Sequence, residues 1–245
     1  MVSKQELWAR VKEFLRFSRS EIANLLLAVI LIGFIFSFRD WGTETFDVVL
    51  GLRHFLGIVL VTGISISFRI SCQKIFALSQ GYNAEFRIWW AGLLIMLVLA
   101  FISFGRLPVI LIGTVVASLM VKQRLGEFRY GFSYRDNALI GLWGIYGNLI
   151  IALIFAIMLY FNPANYYLDK GVFMNLVMAF FALLPLPQLD GLQIFFGSRS
   201  LYYLGILLVL LAGVLLLSRT SIGLILAIII SALLSIFYIL ISSGK

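Results

Sequence analysis

Hydrophobic residues along this chain fall in long runs separated by short polar stretches. Runs cover about 22–38, 54–79, 138–161, 171–184, 201–217 and 221–241. A helix needs roughly 20 apolar residues to cross a bilayer, so this spacing predicts about six transmembrane helices. A further apolar region, 88–121, is interrupted by Gly105-Arg106-Leu107-Pro108. At about 1.5 Å per residue it is too long for one comfortable span and too short for two. It is expected to be a re-entrant or tight hairpin element. Ahead of the first run, residues 1–21 interleave Lys4, Arg10, Lys12, Arg16 and Arg19 with Leu7, Trp8, Val11, Phe14 and Leu15. That pattern suits an interfacial amphipathic helix, or equally an ordinary basic flank of the first span. It has no small-residue cleavage pattern and is read as retained. The expected fold class is therefore an all-α polytopic membrane protein, with an interfacial segment at 1–21 and one integral membrane domain at 22–245.

Composition agrees: 62% of residues are hydrophobic, 12% are charged, and the mean hydropathy is +1.06. In such a chain the formal charge of +8 is read as loop bias and attraction to lipid headgroups, not as a nucleic-acid surface. The distribution of charge sets the expected topology. The loop after the first run carries Arg39, Asp40, Glu44, Asp47 and Arg53 and is poor in net positive charge. Segment 122–137 sets Lys122, Arg124, Arg129 and Arg135 against Glu127 and Asp136. A single crossing by 88–121 would put that basic loop outside, against the positive-inside rule. A returning hairpin keeps it inside and places both termini in the cytoplasm.

The interruption of greatest chemical interest is Leu183–Gly191, LLPLPQLDG. Two prolines two residues apart cannot sit in a regular helix. Broken backbone at membrane depth is tolerated where it lines a cavity or is buried in protein. Asp190 follows the break. Two readings stand: it caps the short helix that follows, or it is an intramembrane carboxylate with a functional role. Arg69, inside the second run, either snorkels to the interface or takes part in a buried ion pair. In the expected topology Arg69 and Asp190 lie near the same ends of their helices and can meet. The single histidine, His54, lies roughly 22 Å up the helix from Arg69 and cannot join them. Gly144 and Gly147 permit close helix approach, and Asn148 is a candidate interhelical hydrogen-bonding group. A single cysteine, Cys72, excludes an internal disulfide and a thiolate metal cluster.

Taken in order, these segments resemble the site-2 proteases, intramembrane zinc metalloproteases that cut transmembrane substrates. Pro185, Pro187, Leu189, Asp190 and Gly191 match the family's Asn-x-x-Pro-x-Pro-x-Leu-Asp-Gly signature, with Ala182 at the Asn position. Gly144 and Asn148 match its Gly-Pro-x-x-Asn segment, with Ile145 at the Pro position. The stretch Phe68-Arg69-Ile70-Ser71-Cys72-Gln73-Lys74 stands where that family has His-Glu-x-x-His. The likeness covers about residues 20–240 and is closest to short members without extra soluble domains. It implies a site-2 protease-like core and, in the family, a zinc ion held by two histidines and an aspartate beside a glutamate base.

This sequence lacks most of those groups. The histidine positions are Arg69 and Gln73, the glutamate position is Ile70, and Asp190 alone remains. No His-Glu pair occurs anywhere in the chain. Zinc is thus the family's metal but its ligands are missing here, so no cofactor and no catalytic residue are expected. An Arg69–Asp190 ion pair, with Gln73 bonded to it, is the expected replacement. The expected function is that of a pseudoprotease in the lipid bilayer, binding transmembrane helices of other proteins or active relatives, with no nucleic-acid partner. Two alternatives stand beside it: a hydrolase using other groups, for which Cys72 and Asp190 are a poor pair, and a small transporter with a proton or ion site at Asp190.

Overall fold

In a computed structural model of the chain, residues 4–42, 46–119 and 133–243 are described, with side chains to residue 233. Glu44 and the basic run Lys122, Arg124, Glu127 and Arg129, which carried the topology reading, lie outside the described residues. Nine helices and two strands are present among the described residues: α1 Lys4–Phe14, α2 Arg19–Ser37, α3 Val48–Ser79, β1 Tyr82–Ile88, α4 Trp90–Ile102, β2 Gly113–Leu119, α5 Tyr134–Phe161, α6 Tyr166–Ala182, α7 Asp190–Gly197, α8 Arg199–Leu217 and α9 Ser221–Ser243.

Several helices begin before their apolar runs because polar side chains cap them. Asp47 accepts from the amides of Val49 and Leu50, so α3 starts at Val48 rather than near His54. Ser133 caps α5 through the amide of Asp136. Asn165 caps α6 through Tyr167 and Leu168. At α2, Ser18 and Glu21 form a reciprocal capping box. Each cap satisfies amides that have no partner inside the helix. Four helices, α2, α3, α5 and α8, are long and apolar enough to cross a membrane by length and composition. The 17 residues of α6 are fewer, and the described side chains of α9 cover only its first 13.

The described chain is predominantly helical, as expected, with one small addition. Residues 82–88 and 113–119 form a two-stranded antiparallel sheet, with Tyr82 opposite Leu119 and Ile88 opposite Gly113. Tyr82, Ala84, Phe86 and Ile88 alternate inward with Asn83, Glu85 and Arg87, the period-two pattern of a half-buried strand. Helix α4 is the excursion between the paired strands, so the chain returns from Ile88 to pair again at Gly113. Gly113 is indispensable to that return. Its φ is +131°, and a Cβ there would lie 2.1 Å from the carbonyl oxygen of Arg87.

The centre of the assembly is α3, which packs against α2, α5, α6 and β1. Its C-terminal end is fastened by a second buried ion pair. Lys74 lies 2.7 Å from Glu21, both side chains at 4% exposure or less. Lys74 also donates to the carbonyl of Arg16 and sits 4.1 Å above the Phe17 ring. The other Glu21 oxygen accepts the amide of Phe86 in β1. One carboxylate thereby joins the start of α2, the end of α3 and the sheet. Helix α1 docks on the same end through Arg10, which donates to the carbonyl of Leu78.

Candidate functional site

The site is built where α3, α5, α7 and β2 converge. After α6 ends at Ala182, the two prolines deny the backbone a further helical turn and Gln188 adopts a left-handed φ of 61°. Helix α7 then starts at Asp190. Gly191 allows this tight re-entry, since a Cβ on it would lie 2.1 Å from the carbonyl oxygen of Leu183. The cap position of α7 is Leu189, and no side chain caps the helix. The Asp190 carboxylate is turned instead toward α3 and the sheet.

There it is fully buried and bonded on both oxygens. Oδ2 accepts from Arg69 Nη2 at 2.6 Å and from Gln73 Nε2 at 3.1 Å. Oδ1 accepts from the Thr114 hydroxyl at 2.5 Å. Gln193 in turn donates to Thr114 Oγ1 at 3.1 Å. Arg69 and Gln73 are four residues apart on α3, which puts them on one helical face. Both are buried, so Arg69 does not snorkel to a surface. Charge-assisted bonds of this kind are the strong ones, and burial makes them stronger still.

Helix α5 contributes space. Gly141, Gly144 and Gly147 form a bare stripe facing the polar groups. A Cβ on Gly144 would lie 2.5 Å from the Gln73 side-chain amide, and one on Gly147 would lie 3.1 Å from Arg69 Cα. At Gly141 the same atom would come within 3.4 Å of Asp190 Cβ. The glycines therefore admit α3 and α7 to close range, as small residues do in membrane helix packing. Asn148, next on α5, is also fully buried. The interhelical hydrogen bond expected of it is not made: neither its oxygen nor its nitrogen has a partner among the described residues.

Sequence reasoning singled out Arg69, Gln73 and Asp190, and these three meet. Ile70 is buried on the same helix and adds only apolar packing. His54 is far from them, near the start of α3, where its ring stacks on Tyr166 at 4.6 Å. Thr114 was missed, because nothing in a continuous apolar strand marks one hydroxyl as the partner of a carboxylate 76 residues away. The Glu21–Lys74 pair was missed as well.

The donor set does not suit zinc. Zinc is held by thiolate, imidazole and carboxylate groups. Among the described residues, no three His, Cys, Asp or Glu side chains come together. Asp190 is the one such group bonded into this cluster among the described residues, and a guanidinium that cannot be deprotonated faces it. What the arrangement does chemically is neutralise and anchor a buried carboxylate.

No family model and no solved structure matches the chain. Over 180 residues it is 28% identical to a protein of Methanocaldococcus jannaschii named "Putative zinc metalloprotease", covering 72% of this chain and 83% of that one. This likeness supports a metalloprotease-like family. With the four long apolar helices it describes a metalloprotease-like membrane protein.

Proposed function

We propose that this chain is a pseudoprotease of the site-2 type: a membrane-embedded protein that keeps the helical frame of an intramembrane metalloprotease without its metal or its catalytic groups. The observation that carries the reading is the Asp190 carboxylate, engaged on both oxygens by Arg69, Gln73 and Thr114. A permanent cation sits at the first position where a metal ligand would be needed, and an amide at the second. The glycine stripe of α5 favours the same reading, because it supports these replacements by close packing.

The activity that remains is recognition. The frame, with six crossings and both termini in the cytoplasm, offers lateral faces to other membrane helices. Its partners are transmembrane segments, including those of active proteases, which it would shield or compete for. The transporter alternative is less favoured, because a carboxylate tied to arginine and two further donors is poorly placed to exchange ions.

Elemental analysis of the purified protein, run beside an Asp190→Ala variant, tests the proposal. Zinc below stoichiometry in both is the expected result. About one zinc per chain that disappears in the variant would overturn it.

A further inference from the structure

At the end of the molecule remote from Asp190, the structure holds a second polar feature that the proposed function leaves unused. A cavity of about 340 Å³ opens between the end of α2, the turn after α4 and the start of α6. Its charged lining is Arg39, Asp40, Arg106 and Lys170. Asp40 is already engaged: Lys170 lies 3.2 Å from it and the Tyr166 hydroxyl donates to the same oxygen. Lys170 also donates to the carbonyl of Phe36. Arg39 and Arg106 have no carboxylate partner among the described residues. The cavity therefore carries an excess of two positive charges, both on exposed arginines.

The backbone keeps those arginines together. Phe104 and Gly105 take left-handed φ values of 51° and 69° in the turn after α4. A Cβ on Gly105 would lie 2.9 Å from Phe38 Cβ and 3.1 Å from Arg39 Cγ, so the turn closes on α2 only because it is glycine. The residues flanking Gly105 and Arg106 in the chain form an apolar rim: Phe101, Ile102, Phe104 and Leu107 are each more than half exposed. A concave pair of guanidinium groups matches a phosphate, since arginine presents its donors in a fixed fork. Apolar side chains beside it match acyl chains, and basic pockets between membrane helices bind phospholipid headgroups.

We infer that the Arg39–Arg106 cavity binds the phosphate of an anionic phospholipid, with the acyl chains lying against the Phe101–Leu107 rim. The ligand class is an anionic glycerophospholipid rather than a soluble phosphate, because the rim would gain nothing from a ligand without a hydrocarbon tail.

The test uses the full chain in an uncharged detergent, with native mass spectrometry counting bound phosphatidylglycerol or phosphatidylcholine. Phosphatidylglycerol is expected to bind about tenfold tighter than phosphatidylcholine. That preference should vanish in an Arg39→Gln/Arg106→Gln double variant, whose changed residues are exposed and leave the fold intact. It should persist in an Arg87→Gln/Arg199→Gln control, at two exposed arginines that do not line the cavity. Equal binding of the two lipids would overturn the proposal. So would a preference that survives the first variant or is lost in the control. Displacement of the lipid by an equal concentration of inorganic phosphate would overturn the lipid assignment and make the cavity a soluble-anion site.

Discussion

Removing one member of the Arg69–Asp190 pair should cost more than removing both. Asp190→Leu leaves a guanidinium that is 3% exposed with its carboxylate gone and no means of shedding its charge. Breaking a buried pair in this way typically costs about 3–5 kcal/mol. Arg69→Leu is milder, about 2–3 kcal/mol, because Gln73 and Thr114 still donate to the carboxylate. The double variant replaces two charges by hydrocarbon of comparable bulk and should lose about 1–2 kcal/mol, since buried pairs are often near neutral against apolar isosteres. The coupling energy is then about 3–7 kcal/mol, well above the few tenths expected of independent sites. For a chain of this size each kcal/mol shifts the melting temperature by about 2–4 °C. Thermal unfolding of the four proteins in one detergent, followed by tryptophan fluorescence, reads the cycle directly. If the double variant is destabilised by the sum of the single losses, the two side chains are not coupled and the proposed anchor is refuted.

Two further substitutions probe the surroundings. Gly144→Ala places a methyl 2.5 Å from the Gln73 amide and must swing that side chain off Asp190; a loss of about 1–3 kcal/mol is expected. Adding Gln73→Ala should recover most of that loss, and a melting temperature no better in the pair than in Gly144→Ala alone would show that the glycine serves something else. Lys74→Met strands Glu21 among buried groups and should cost about 3–5 kcal/mol, with Glu21→Gln in the same chain restoring part of it; an unchanged melting temperature for Lys74→Met would refute the second anchor.

The helical frame was readable because long apolar runs admit few alternatives, and the proline break was readable because proline has only one way to end a helix. Where the helices begin was not, since hydropathy is blind to caps: Asp47, Ser133 and Asn165 each draw a helix outward from its apolar run. The sheet was partly legible. Tyr82–Ile88 alternates as a strand should, whereas Gly113–Leu119 is apolar nearly throughout and gives no period. At the site, Arg69 and Gln73 stood out as polar residues four apart in an apolar helix. Thr114 and Lys74 did not stand out, because their roles depend on partners brought near only by the finished fold.

The distance in sequence between Arg69 and Asp190 has a consequence for how the protein is made. They are separated by 121 residues. At about 5–20 residues per second, ribosomes deliver the carboxylate roughly 6 to 24 s after the arginine. Throughout that interval α3 carries an uncompensated cation, which is costly at depth in a bilayer and favours a shallow or tilted placement of the helix. Glu21, by contrast, precedes Lys74, so the other buried charge of α3 meets a waiting partner. Biogenesis is thereby divided in time: the N-terminal half can lock early around Glu21, while α3 reaches its final depth only when the α6–α7 turn arrives. A nascent chain truncated before residue 190 would keep α3 in that provisional position, exposed to whatever quality control surveys unpaired charge within the membrane.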